Sequence, residues 1–290
     1  MQEYVAEVFS EERYELGESP FYDPRTGMLS WVDIIAGSFY TLGADGKGTK
    51  SRYDFGQAIG AAVPAEKPGS YAVAGTDGIY RYENGSPQLV TKLTACYEPY
   101  QRSNDAKADP AGRLWFGSSV ADEYTAAHAA CGNLYCLDGG KVSCRQAGTK
   151  ISNGMAWSSD RKHFYFSDSL CHAVFAYDYD LESGSITNRR VLFPVENGVP
   201  DGMCIDAEDT LWVAVWGGSR IERRSTKDGS LLERIRVDAA HVTSCCFIGS
   251  GEPGRLFITS SAHGLSGKHD GCLFTCTVNA KSAGTDFARL

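Results

Sequence analysis

The sequence predicts an all-β protein, a six-bladed β-propeller, and three observations predict it. Paired runs of aromatic and β-branched residues recur six times along the chain. Their spacing is that of a propeller blade, roughly 40 to 50 residues. No segment keeps an apolar face at helical spacing over three turns. The pairs are LSWVD (29–33) with FYTL (39–42), YAVAG (71–75) with IYRY (79–82), and RLWFG (113–117) with LYCL (134–137). They continue as HFYFSD (163–168) with VFAYDY (174–179), TLWVAVW (210–216) with IERRS (221–225), and RLFITS (255–260) with LFTCTV (273–278).

With Leu29, Ala72, Leu114, Phe164, Leu211 and Leu256 as equivalent points, the steps are 43, 42, 50, 47 and 45 residues. A strand-only repeat of this size cannot bury both faces alone, so a ring of copies supplies each with neighbours. Ahead of each first run lies a less polar segment: SPFYDPRTG, GAAVPAEKPG, DAKADPAG, GMAWSSDRK, GMCIDAED and SCCFIGSGEPG. Each ends in turn-forming residues that close a hairpin, which makes these segments the innermost strands, lining the axis. GMAW and SCCF also fit a short buried helix, but their length and Gly/Pro boundaries favour strands.

A fourth strand follows in most copies, as in KSRYDF (50–55), QLVTKL (88–93), RRVLF (189–193) and ERIRV (233–237). The N-terminal YVAEVF is expected to pair as an outer strand of the sixth copy and close the ring. Residues 1–290 then make a single propeller domain.

The formal net charge of -8, with no Lys/Arg run, argues against a nucleic-acid or anionic-membrane partner, because both need clustered positive charge. No stretch approaches the roughly eighteen consecutive apolar residues of a membrane span. The start, MQEYVAEVF, carries acids where a signal peptide is basic and then apolar, so a cytoplasmic protein is expected. The ten cysteines lie mostly in apolar strand-like runs without a CxxC, which reads as buried reduced thiols and not as a disulfide framework or zinc site.

The polar residues share a register. Asp201 lies 10 residues before Leu211, Asn153 11 before Phe164, Asn104 10 before Leu114, and Glu18 11 before Leu29. Any one of them is explained as a turn residue that begins a strand. Four at the same point are not, because a ring brings equivalent inner-strand positions together at one mouth of the channel. Two carboxylates there repel unless a cation lies between them. Two carboxylates with one or two amides suit a hard divalent ion such as Ca²⁺, Mg²⁺ or Mn²⁺, and Zn²⁺ accepts the same ligands.

Arg102 lies two residues before Asn104, so strand alternation directs it to the same mouth. A cation beside a metal is costly unless it serves an anionic or polar ligand. The loops on that side contribute Asp122, Glu123, Tyr124 and His128 from the third copy, Trp216 from the fifth and His263 from the sixth. Loop residues are polar in any case, so these are weaker candidates.

In the motifs LGESPFYDPRTGMLSWVDI, RSNDAKADPAGRLWFG, ISNGMAWSSD, PDGMCIDAEDTLWVAVWGG and VTSCCF, the sequence resembles the gluconolactonase, regucalcin (senescence marker protein) and luciferin-regenerating enzyme family of six-bladed propellers. PDGMCIDAE and VTSCCF are most similar to the regucalcin branch. The resemblance implies one divalent metal on Glu18, Asn153 and Asp201, with Asp201 as general base. It also implies substrate contacts from Arg102 and Asn104, and from an acid that falls at Asp122 or Glu123. Departures lie on the substrate side: NDAK stands at 104–107 where the family commonly has NDGK, and GSSVADE replaces a GTM-type segment.

The expectation is a metal-dependent lactonase that hydrolyses a sugar lactone such as gluconolactone, working as a monomer or weak dimer, with the loop from Ser118 to Cys131 covering the site. One rival is an esterase or phosphotriesterase-like hydrolase on the same site. The other is a calcium-binding propeller without turnover, against which stands Arg102 beside the ion.

Overall fold

The computed structural model describes residues 2–290, apart from the side chain of Glu123. Two short strands, β1 (Gln2–Val5) and β2 (Glu7–Ser10), precede four consecutive four-stranded sheets. The first is β3 (Gly17–Asp23), β4 (Met28–Asp33), β5 (Ser38–Gly43) and β6 (Ser51–Asp54). The second is β7 (Ile59–Pro64), β8 (Tyr71–Gly75), β9 (Gly78–Glu83) and β10 (Ser86–Lys92). The third is β11 (Gln101–Ala108), β12 (Leu114–Val120), β13 (Gly132–Asp138) and β14 (Lys141–Thr149). The fourth is β15 (Ser152–Trp157), β16 (His163–Asp168), β17 (Ala173–Asp180) and β18 (Ser185–Pro194).

The remaining strands are β19 (Val199–Ile205), β20 (Thr210–Trp216), β21 (Arg220–Ser225), β22 (Leu231–Arg236), β23 (His241–Ile248), β24 (Gly254–Ser261) and β25 (Leu273–Val278). With β1 and β2 they form one nine-stranded sheet, whose two halves are joined in the strand pairing through Trp216 and His241. The N-terminal segment does not act as one strand. β1 runs parallel to β22 in the fifth copy, and only β2 pairs with β25 in the sixth, because Ala6 turns buried between them.

The repeat read from the sequence is the repeat of the structure. Leu29, Ala72, Leu114, Phe164, Leu211 and Leu256 pair with Tyr22, Val63, Ala108, Trp157, Ile205 and Phe247 of the innermost strands. Those strands touch in cyclic order, β3 to β7, β11, β15, β19, β23 and back to β3. Burial falls outward: β7 and β8 are wholly buried, whereas β10 is mostly exposed. Between sheets the faces interdigitate, as where Trp115 and Leu134 pack on Trp157, Phe164 and Phe175. Each such side chain contributes about 1.5–3 kcal/mol of burial.

Turns between the first and second strands are pinned by buried carboxylates. Asp109 accepts from the Ala111 and Arg113 amides at 2.9 Å, from Trp115 Nε1 at 2.9 Å and from the Tyr179 hydroxyl at 2.7 Å. Asp206 repeats the device with the Glu208 and Thr210 amides and Trp212 Nε1. The C-terminal residues lie against this end of the ring through the bridges Asp206–Ser282 and Ala65–Ala288. Among the described residues no helix is long and apolar enough to cross a membrane.

Candidate metal centre

Four residues before each inner-strand pairing point stand Glu18, Ile59, Asn104, Asn153, Asp201 and Thr243. All six inner strands carry a bulge beside this position. A bulge re-aims a side chain away from the sheet faces, and here it recurs around one ring. The residue that follows must be small where neighbouring strands crowd it. A Cβ on Gly154 would lie 2.5 Å from the Asp201 carbonyl oxygen, and one on Gly202 would lie 2.1 Å from Ser244 Oγ. The SNG and PDG motifs therefore join a ligand-type side chain to a close strand contact. Ser19, which follows Glu18, takes the left-handed conformation at φ 46° without being glycine, a strained backbone at the site.

Glu18, Asn104, Asn153 and Asp201 are all buried. Glu18 Oε2 accepts from the Ser19 amide at 2.5 Å. Asn153 Nδ2 donates to Ser169 Oγ at 3.0 Å, and Ser169 donates to the Pro200 carbonyl at 2.8 Å. This arrangement fixes the amide and leaves Asn153 Oδ1 buried without a partner; Asp201 Oδ1 is in the same condition. Two orphaned acceptors in one site cost about 1–3 kcal/mol each, and a cation is the partner that would satisfy both.

Burial, then the Asp105 charge, pushes the Glu18 carboxyl up to about 8. Burial, then Glu18 and Asp105, raises Asp201 well above the ordinary carboxylate range. Both effects are those of acids packed together without a counter-charge, so the donor set fits a divalent cation with oxygen ligands. Among the described residues no group of three or more His, Cys, Asp or Glu side chains forms a metal cage; the set here is two carboxyls and an amide oxygen.

Asn104 differs from its equivalents. Its Oδ1 accepts from Arg102 Nη1 at 2.6 Å and its Nδ2 donates to the Ser152 carbonyl at 2.9 Å. Arg102 is buried, lies 3.6 Å from Asp122 Oδ2 through Nη2, and keeps an unpartnered Nε. Arg102, Asn104 and Asp122 thus form one linked group beside Asn153. Asp122 opens a short 3₁₀ turn, Asp122–Tyr124, and Glu123 in the same turn has its side chain outside the described residues. The covering loop is shorter than Ser118 to Cys131, because β12 carries Ser118 to Val120 as paired strand.

The other loop candidates divide. Trp216 packs partly against the cluster of Leu16, Val32 and Ile59 and stacks on His241 at 3.9 Å, which places an aromatic pair by the mouth. His128 stacks on Tyr100 at 3.8 Å, Tyr124 is exposed, and His263 is exposed and bonded to Glu15 at 2.9 Å.

The residue that sequence reasoning missed is Asp105. It is buried, its carboxyl is raised by burial, and its Oδ1 contacts Ser19 Oγ at 3.2 Å. The Lys107 ammonium draws it back down while donating to the Met203 carbonyl at 2.7 Å. The signal was present: the equivalent positions hold Ser19, Gly60, Gly154, Gly202 and Ser244, all small. Glu18, Asp105 and Asp201 stand on β3, β11 and β19, every second strand of the ring.

Comparison with known proteins agrees with this architecture. Residues 16–262 match the family model described as the SMP-30/Gluconolactonase/LRE-like region. The chain is 33% identical over 287 residues to regucalcin of Danio rerio, covering 96% of this chain and 95% of the relative. It superposes on the solved structure of a luciferin-regenerating enzyme with a TM-score of 0.91 at 30% identity, covering 99% of each chain. It superposes on a regucalcin of Agrobacterium tumefaciens, described as a calcium-binding protein, with a TM-score of 0.89 at 27% identity, covering 100% of this chain and 99% of the other.

Proposed function

The chain belongs to the SMP-30/Gluconolactonase/LRE-like family, and from that footing we propose that it is a divalent-metal-dependent lactonase opening a sugar lactone to its hydroxy acid. The observation that carries the reading is the pair of buried, unpartnered oxygens, Asn153 Oδ1 and Asp201 Oδ1, beside the raised carboxyl of Glu18. We read the cyclic contact of β3, β7, β11, β15, β19 and β23 as a six-bladed propeller, with residues 1–290 as one unit.

Glu18, Asn153 and Asp201 would hold the cation. A divalent ion there supplies electrophilic polarisation of the lactone carbonyl. Arg102 retains a free Nε, and Asn104, engaged once through each end of its amide, keeps one acceptor site and one N–H for ring hydroxyls. Asp122 balances Arg102 and is open enough to accept from a sugar hydroxyl. The Trp216–His241 stack gives the pyranose or furanose face an apolar wall.

Asp201 takes the proton of the attacking water and returns it to the ring oxygen as the C–O bond breaks. Asp105, which accepts from the Ser19 hydroxyl and is drawn down by the Lys107 charge, adds negative charge that favours cation binding over an empty site. The description of the Agrobacterium tumefaciens relative as calcium-binding supports calcium as the first ion to test. The partner is then a small neutral lactone.

The test is proton release in weak buffer from a panel of aldonolactones, using metal-stripped protein reloaded with Ca²⁺, Mg²⁺, Mn²⁺ or Zn²⁺ and corrected for spontaneous hydrolysis. Metal-restored turnover supports the reading. Tight ion binding with no turnover of any lactone, beside activity on simple esters or phosphotriesters, replaces it.

A further inference from the structure

The strands β19 and β23 approach closely just inside the mouth, where a Cβ on Gly202 would lie 3.0 Å from the Ser244 Cα. Two residues beyond Gly202 and one beyond Ser244, Cys204 Sγ and Cys245 Sγ are 3.6 Å apart. Neighbouring strands at such separation carry side chains within the span a disulfide bridges, so bond formation asks for side-chain rotation and not strand movement. We infer that Cys204 and Cys245 are an oxidation site that closes to a reversible disulfide joining β19 to β23 under a hydroperoxide.

The two thiols have different access. Cys204 is half-buried and lines a cavity of about 330 Å³ with Cys246, Lys107 and Trp157, closed by C-terminal residues from Ser282 to Asp286. This cavity lies at the opposite end of the inner strands from Glu18 and Asp201. Cys245 is buried and gives its S–H to the Trp212 carbonyl at 3.5 Å. Cys204 therefore meets the oxidant and Cys245 resolves it.

In the first step the Cys204 sulfur attacks the peroxide oxygen, the O–O bond breaks, and sulfenic acid and water form. In the second, the Cys245 sulfur attacks the sulfenic sulfur, the S–O bond breaks and a second water leaves. The sum is two thiols and one hydrogen peroxide giving one disulfide and two waters. Burial pushes the Cys204 thiol up, and the Lys107 ammonium, bonded to the preceding residue Met203, opposes that push. The reaction therefore needs sustained peroxide and not a brief pulse.

The consequence is a cross-link three residues beyond Asp201. It ties the strand that carries the proposed base to the next inner strand and closes residues 204–245 into a loop in the unfolded chain, which raises thermal stability.

The test is peptide mapping of the full-length protein after prolonged hydrogen peroxide. The expected result is a linked Cys204–Cys245 peptide, a higher Tm, and return of both with dithiothreitol; C246S should behave as wild type and C204S should form no link. A link from Cys204 to Cys246, sulfinic acid without a link, or retention of both thiols overturns the inference. Mapping of the wild type decides it even where a variant folds poorly.

Discussion

The charge of Glu18 on β3 is, after burial, the largest cause that raises the carboxyl of Asp201 on β19, although the inner strand β23 stands between their strands in the ring. Two buried carboxyls coupled in this way require that a proton be held on one of them or that a cation balance their charge. Each alternative makes a measurable demand on pH and metal.

The first demand concerns the metal-free protein. Glu18 is raised from 4.5 to about 8 and Asp201 is raised well above its ordinary value, so the folded chain holds protons that the unfolded chain releases. Stability from these groups is complete below the unfolded values and is lost as pH rises through the folded ones. The melting temperature in chelator should therefore fall between about pH 5 and 8, and added Ca²⁺ or Mn²⁺ should remove most of that slope. A melting temperature that climbs across this interval in chelator would show that the cluster is not protonated.

Exchange of the proposed base is the second test. Asp201→Asn keeps size and removes the proton acceptor, so turnover should drop by about 100- to 10,000-fold, with circular dichroism unchanged. Glu18→Ala should act first on ion affinity, by at least about 10- to 100-fold, the loss usual for an outer partner of a ligand. Isothermal titration separates the two; full affinity in Glu18→Ala moves the ion elsewhere.

The register of Glu18, Asn104, Asn153 and Asp201 was legible because an inner strand starts at a fixed distance from its partner strand, and sequence spacing preserves that distance. Roles within the register were less legible. That Asn104 is committed to Arg102 while Asn153 Oδ1 is left free follows from which neighbour reaches each amide, a three-dimensional fact. Asp105 escaped notice because it follows a conspicuous Asn, although it occupies a position that is Gly or Ser in every other copy. The split N-terminal strand escaped for a similar reason: YVAEVF alternates as one strand, and only the buried Ala6 marks the crossing between sheets.

Asp105 supplies the third prediction. Its charge is the second cause, after burial, of the raised Glu18 carboxyl. Asp105→Ser installs the residue type found at positions 19 and 244, so the backbone tolerates it. The variant should melt higher than wild type in chelator at pH 8, because one repelling carboxylate is gone, and should bind the ion about 10- to 100-fold more weakly. Weaker ion binding without the gain in apo stability would make Asp105 a packing residue only.

Arg102 separates substrate binding from ion binding. It contacts Asn104 and Asp122 and no candidate ligand of the ion. Arg102→Ala removes a charged hydrogen-bond donor of about 1.5–3 kcal/mol, so kcat/KM should fall roughly 10- to 100-fold. Ion affinity should stay level or rise as a nearby positive charge disappears. A large loss of ion affinity would instead make the Arg102–Asn104 contact a support of the metal shell.

The final prediction isolates the scaffold. Asp206 is fully buried and receives Trp212 Nε1 at 3.0 Å, the Thr210 amide at 2.9 Å and Arg223 Nε at 3.0 Å, at the end of β19 opposite Asp201. Asp206→Ala leaves the indole and one face of the guanidinium without acceptors, although Arg223 keeps Glu208 and Glu233. Breaking a buried pair costs about 3–5 kcal/mol, and the remaining acids place this variant at the lower end. Denaturant unfolding should register that loss while turnover per folded molecule stays within about two-fold, since surface and scaffold effects away from the site leave the reacting groups in place. If turnover per folded molecule collapses with stability, the Asp206 turn also sets the position of Asp201 along the strand.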